Sequence, residues 1–232
     1  MVIAKGFTSR TGVGAEAAFG TPIAVTDKLP IISETLSSVF DKIPDSSLCG
    51  TATQGPPSLG LQRTQGGILV TKRLTAQDPV IEHFFGNFTA GGGTFTDDHY
   101  LIQDSNDDNG ITVAVDKNTD VYEFTGYKVS TFQLTGTPGD GVRMNLDGFA
   151  TGVDLSSTIN TTAVIDLLAN AAGRNLQFFD MELLIGDLAG DLATPADKIK
   201  ISQFTLELNR NLEATEINER FLDQAVEASW RT

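Results

Sequence analysis

Two runs of alternating residues, 121–134 and 142–153, flank the sequence Thr137-Pro138-Gly139-Asp140-Gly141. No other feature of the chain narrows the fold as much. Period-two alternation is the spacing of a strand with one buried face, and a Pro-Gly-Asp-Gly cluster is turn chemistry. The pair therefore reads as a β-hairpin. Phe132, Leu134, Val142, Met144 and Leu146 fall on one face, and Thr131, Gln133, Arg143, Asn145 and Asp147 on the other. An apolar face opposite a polar, mixed-charge one is the pattern of an antiparallel sheet with one wet side.

The pattern recurs along the chain. Residues 29–43 (LPIISETLSSVFDKI) alternate, with Ile32, Leu36 and Phe40 on one face and Ser33, Thr35, Ser37 and Asp41 on the other. The run 67–75 (GILVTKRLT) adds Ile68, Val70 and Leu74 to the apolar face and Thr71 and Arg73 to the polar one. Segments 95–102 and 111–116 read as strands around an acidic turn that ends in Asn109-Gly110, a strong hairpin signal. Segments 176–185 and 199–208 read as two more strands.

Helical spacing is rarer. Asp78 and Pro79 open a short helix with Val80, Ile81, Phe84 and Phe85 on its apolar side and Gly86 as its stop. Residues 161–172 space Val164, Leu167, Leu168 and Ala171 on one helical face, and Gly173 follows as a cap. The tail 215–230 does the same with Ile217, Phe221, Leu222, Ala225 and Val226, and Trp230 reads as a packing anchor. These elements predict a mainly β fold, a sandwich or barrel with a flanking α-helix. The expected organisation is an N-terminal arm (1–20), one β domain (21–214) and a C-terminal extension (215–232). Within the domain, residues 44–66 break every period and read as a long loop. Leu48, Pro56, Pro57, Leu59 and Leu61 give that loop an apolar surface.

Charge and chemistry exclude several function classes. The net charge is −14, from 30 acidic and 16 basic residues, which argues against a nucleic-acid reader. One cysteine, Cys49, permits neither an internal disulfide framework nor a four-Cys zinc site. Ser58 lacks the glycine two residues upstream that a nucleophile elbow requires. His83 sits in the helix beside two phenylalanines, and His99 follows two aspartates in a strand. The run 104–110 (DSNDDNG) does not match a calcium loop, because the glycine or the terminal glutamate is out of place in either register. Gly12-Val13-Gly14 lacks the strand and helix of a phosphate site. No catalytic residue, metal or cofactor is expected. No apolar run reaches the roughly 18 residues of a membrane span, and Met-Val-Ile-Ala-Lys-Gly lacks the apolar core of a signal peptide.

The ordered strand motifs carry a resemblance. Residues 16–22 read E-x-x-F-G-T-P, 29–36 read L-P-x-x-S-E-x-L, and a glycine-led strand and a helix ending F-F-G (84–86) follow. The hairpin FTGYKVSTFQLTGTPGDGVRMNLDGFATG (124–152) and the strand ISQFTLELNRNLEA (201–214) complete the set. This order resembles the tail tube proteins of long-tailed bacteriophages, over about residues 12–214. The chain departs from longer relatives by ending soon after that last strand.

The resemblance implies a structural, non-enzymatic subunit of the virion tail, assembled in the bacterial host cytoplasm. Six copies would close a ring whose inner sheets join into one barrel, and stacked rings would form a channel for phage DNA. Lumen-facing positions would be Ser33, Thr35, Ser37, Asp41, Thr71, Arg73, Thr131, Gln133, Arg143, Asn145 and Asp147. Inter-subunit positions would be Phe7, Leu48, Pro56, Pro57, Leu59, Leu61, Phe221 and Trp230. The implied partners are further copies of the chain, tape-measure, tail-tip and tail-terminator proteins, and DNA passing without sequence-specific contact. Two other readings fit the same alternation: a monomeric β-sandwich module for glycan or calcium, and the tube protein of a contractile tail or secretion system.

Overall fold

The computed structural model describes residues 9–45, 57–73, 78–85, 88–90, 97–99, 110–170, 173–184, 198–215 and 224–227. Its strands are β1 (Arg10–Ala15), β2 (Asp27–Leu29), β3 (Ile31–Glu34), β4 (Ser37–Ile43), β5 (Ser58–Thr71), β6 (Phe88–Ala90), β7 (Asp97–His99) and β8 (Ile111–Asp116). They continue with β9 (Val121–Gly136), β10 (Arg143–Ala150), β11 (Gly152–Asp154), β12 (Leu183–Leu184), β13 (Lys198–Ile199), β14 (Phe204–Asn209), β15 (Leu212–Thr215) and β16 (Gln224–Glu227). Helix α1 is Asp78–Phe85 and α2 is Thr162–Leu167. The fold is mainly β, as the alternation predicts.

Ten of these strands form one open antiparallel sheet, in the order β2-β1-β8-β9-β10-β5-β3, with β11 and β14 on β9 and β4 on β5. Its spine is β9, 16 residues long. The first half of β9 pairs with β8, and the second half with β10 and β14. Two irregularities bend it. Gly126 sits at φ +62°, where any side chain is strained, and a Cβ there would overlap Thr151 Oγ1. The second is a register shift between Asp147 and Gly148 that leaves an extra β9 residue near Ser130. Bulges of this kind raise local twist and turn a strand.

The bend brings both halves of the sheet onto one core. Val13, Val113, Val115 and Phe124 from one half join Ile68, Val70, Phe132, Met144 and Leu146 from the other. Val80 and Phe84 of α1 complete the same cluster. The helix forms where Asp and Pro precede an apolar run, and its two inward residues have no exposed surface. Tyr127 is also fully buried, and its hydroxyl lies 3.0 Å from the Gly66 carbonyl and 3.1 Å from that of Leu146. Burial pushes its ionisation far above the usual tyrosine range, so it acts only as a neutral donor. Beneath it, Gly148 leaves no room for a side chain, because a Cβ would overlap the Lys128 carbonyl oxygen. Gly148→Ala is expected to cost about 1–3 kcal/mol of stability, read from denaturant unfolding, since the obstacle is backbone.

Several sequence expectations need correction. Residues 29–43 do not form one strand. Asp27–Leu29 pairs with β1, and Pro30 carries the chain across to β5, where β3 and β4 follow in tandem. A bulge between Ile31 and Ser33 puts Ile31 opposite Val70, so Ile31 takes the inward position expected for Ile32, which is 49% exposed. The loop expected over 44–66 is shorter, because β5 begins at Ser58 and pairs with β4. β8 pairs with β1 and β9, not with the strand before the acidic turn, and β7 pairs with β6. Where the sequence predicts one strand over 176–185, the described residues 176–184 hold a 3₁₀ turn (Phe178–Asp180) and a two-residue strand. α2 stops at Leu168, well before Gly173. The tail is not the expected continuous helix, since Gln224–Glu227 pairs with Leu212–Thr215 as antiparallel strands. Among the described residues, no helix is long and apolar enough to cross a membrane.

Candidate assembly face and sheet edges

The half of the sheet built from β3, β4, β5, β10, β9 and β14 carries the polar positions singled out in the sequence. Register assigns their face. Arg143 stands opposite Thr71 and Thr135, and Thr135 stands opposite Thr205. Asn145 stands opposite Leu69 and Gln133, Leu69 opposite Ser33, and Gln133 opposite Glu207. Asp147 stands opposite Gly67 and Thr131, and Thr131 opposite Asn209. Directly paired residues point to the same side, so these rows form one continuous face. The opposite rows, Val70–Met144–Leu134 and Ile68–Leu146–Phe132, supply the core.

The remaining positions extend the face. Thr35 lies between β3 and β4 and docks on Gly67, accepting its N–H at 2.9 Å and returning its own N–H to the Gly67 carbonyl at 2.9 Å. Ser37 opposes Gln65, and Asp41 is 3.2 Å from the Arg63 guanidinium. Arg73 lies just past the end of β5, bridges to Asn175 and donates to the Gly173 carbonyl at 3.0 Å.

The charges on this face satisfy one another locally. Arg143 Nη2 is 2.6 Å from Asp140 Oδ2, Gln133 donates to Glu207 at 2.9 Å, and Asn145 donates to Asp147 at 2.8 Å. All of these pairs are exposed, so each contributes at most about 1 kcal/mol. They hold side chains flat against the sheet more than they stabilise it. At the strand ends, the 3₁₀ turn is tied down by an Arg174–Asp180 ion pair. The Arg174 guanidinium holds the Asp180 carboxyl below the usual carboxylate range, assisted by the Gln177 N–H.

Both lateral edges of this half-sheet are open among the described residues. On one side, β14 pairs only with β9. Arg210 donates its N–H to the Ser130 carbonyl at 2.9 Å, so the alternate residues Leu208 and Leu206 also turn their backbone toward β9. Thr205, Glu207 and Asn209 then turn theirs outward. On the other side, β3 and β4 pair only with β5. Each edge exposes apolar side chains: Leu206 at 45% on the first, and Val39 at 60% with Ile43 and Leu59 on the second.

Residues 6–230 match the family model described as phage tail tube protein. The chain belongs to the phage tail tube family. It is therefore a structural component of the virion tail. No curated protein matches the chain.

The sequence reading of the tail tube protein missed the β14 contribution. Thr205, Glu207 and Asn209 share the polar face, and the alternation of Phe204-Thr205-Leu206-Glu207-Leu208-Asn209 carries that signal. Of the positions expected at subunit contacts, Pro57 and Leu59 are exposed and Leu61 is half-buried. Phe7, Leu48, Pro56, Phe221 and Trp230 lie outside the described residues, as do Leu74 and the acidic run 104–109.

Proposed function

We propose that this tail tube protein is the repeating subunit of a closed ring, with its polar half-sheet lining a channel. The observation that carries the reading is the pair of open edges on that half-sheet. An exposed edge with unpaired N–H and C=O groups invites strand pairing, and closure by rotation removes it. β14 of one copy would meet the β3–β4 side of the next. The apolar surface exposed at the two edges, Leu206 on the core side of one and Val39 on the polar side of the other, would lose water at the contact, at about 25 cal/mol per Å².

The β4–β5 hairpin gives this contact reach. Its stem projects beyond the strands it shares with β10, because β10 pairs with β5 only from Thr64 onward. The stem and the N-terminal arm would lie on a neighbouring copy. Stacked rings, the sixfold closure that the family resemblance implies, and tape-measure, tip and terminator partners complete the expected setting.

The channel wall in this arrangement bears Thr71, Thr131, Gln133, Arg143, Asn145, Asp147 and Glu207. A wall without a cationic patch gives phosphate no place to stick, and a net charge of −14 per subunit repels a duplex as a whole. Screening limits that repulsion to about 8–10 Å from the wall at physiological salt. DNA would slide without being read.

Sedimentation and negative-stain electron microscopy of the concentrated protein test the reading. Rings or tubes with a central hole are the expected result. A monomer at every concentration, with or without an initiating tip complex, would contradict it.

A further inference from the structure

The two open edges of the polar half-sheet run in the same direction. Every neighbouring pair across it is antiparallel: β14 with β9, β9 with β10, β10 with β5, and β5 with both β3 and β4. β3 and β4 lie in tandem along one side of β5, because β3 meets residues 68–70 and β4 meets residues 58–65. They fill a single column. The half-sheet is therefore five columns wide, with four reversals of direction between its edges. An even number of reversals restores the starting direction, so β14 is parallel to β3 and β4.

The rows say the same residue by residue. Ser33, Leu69, Asn145, Gln133 and Glu207 stand side by side across the sheet. One row on, Thr35 docks on Gly67, and that row continues through Asp147 and Thr131 to Asn209. Residue numbers rise together on the two edges, from Ser33 to Thr35 on one and from Glu207 to Asn209 on the other.

Rotation about a channel axis carries a subunit sideways around the ring and leaves the axial sense of its strands unchanged. Resting on the ring reading above, we infer that the seam between subunits is a parallel strand pair, β14 of one copy beside β3–β4 of the next, in a half-sheet that is antiparallel everywhere else. The occupant of each edge is the opposite edge of a second copy. Thr205, Glu207 and Asn209 turn their backbone N–H and C=O groups outward, and such groups serve a parallel or an antiparallel neighbour alike. The symmetry of the contact makes the choice. A twofold contact would set β14 against β14 in antiparallel sense and stop at a dimer, whereas a heterologous contact repeated by rotation joins unlike edges.

A closed barrel also staggers its strands. The residue facing Glu207 is then displaced from Ser33 by a fixed step along the edge, and the sense of the pairing is unaffected. Parallel pairs are slightly less stable per residue than antiparallel ones, so the wall is expected to part between subunits before it parts within one.

Disulfide trapping reads the sense directly. In a Cys49→Ser background, Thr205→Cys or Asn209→Cys is combined with Ser33→Cys, Ser37→Cys or Val39→Cys. All five positions lie on the polar face. Ring formation is checked by negative stain under reducing conditions, and the assembled protein is then oxidised and run on a non-reducing gel. The expected result is a covalent ladder in which the preferred partner of Asn209→Cys has a higher number than that of Thr205→Cys. The reverse order, a dimer linked through a single β14 cysteine, or rings in which no such pair links would each overturn the parallel seam. An absence of rings in the Cys49→Ser protein itself, at every concentration and with an initiating tip complex, contradicts the ring reading, and the seam falls with it. If only the cysteine variants fail to assemble, the strand directions in a reconstruction of the parent tube decide.

Discussion

Phe84→Ala is expected to remove about 3–5 kcal/mol of stability, enough to lower the melting temperature by roughly 6–20 °C in a chain of this size. Phe84 has no exposed surface. Its ring stacks on Phe132 at 5.1 Å and meets Phe85 edge-on at 5.3 Å. It is also the residue through which α1 enters the core where both halves of the sheet converge. Truncation leaves a cavity bounded by strand side chains that are held in register and cannot collapse into it. Phe85→Ala serves as the control. That residue is only partly buried, and its loss is expected to cost clearly less. Thermal and denaturant unfolding of both variants measure the difference. Equal, small losses would mean that α1 lies on the core without being part of it.

Glu207→Pro is expected to abolish assembly while leaving the subunit folded. Glu207 opposes Gln133 but turns its backbone N–H away from β9, so proline removes no hydrogen bond inside the subunit. The side chain gives up one exposed hydrogen bond to Gln133. In an assembled ring the same proline would delete an inter-subunit hydrogen bond at every contact and place its ring carbons against the neighbouring strand. Each 1.4 kcal/mol lost per contact weakens association about tenfold, and the loss recurs around the ring. The expected outcome is an unfolding curve close to the parent's and no sedimenting fraction. Leu206→Pro is the counter-experiment. Its backbone points toward β9, so that proline should damage the fold itself.

The sequence made the central hairpin legible because period two survives wherever one face is buried. Phe132, Leu134, Met144 and Leu146 alternate with Gln133, Asn145 and Asp147, and the structure keeps that phase along β10 and along β9 as far as the bulge opposite Gly148, beyond which Val129 and Tyr127 take the inward positions on β9. What alternation could not carry was the partner of each strand. The Asn109-Gly110 signal is local, yet β8 finds β1 and β9, because three valine and isoleucine positions on β8 are buried between two neighbours. A strand covered on both faces shows no clean alternation to read. The inward shift from Ile32 to Ile31 depends on a bulge, and one residue of slip exchanges the two faces.

The tail misread has a similar cause. Ala225 and Val226 suit a helical face at 3.6 spacing, but four residues fit a strand equally well, and long-range pairing with Leu212–Thr215 decides the matter. The polar face was visible as a list of residues. Its meaning as an open-edged surface required the register, since only Arg210 bonding to Ser130 shows which side of β14 is unpaired.

The central claim is that the polar face of the β5–β10–β9–β14 half-sheet lines the tube. A reconstruction of the assembled tube by electron cryo-microscopy, at a resolution that separates strands, tests it most directly. The expected map shows β14 of each subunit hydrogen-bonded to the β3–β4 edge of the next, with Arg143, Asn145, Gln133 and Glu207 on the channel wall. A tube in which this face points outward, or in which β14 remains unpaired, would contradict the claim.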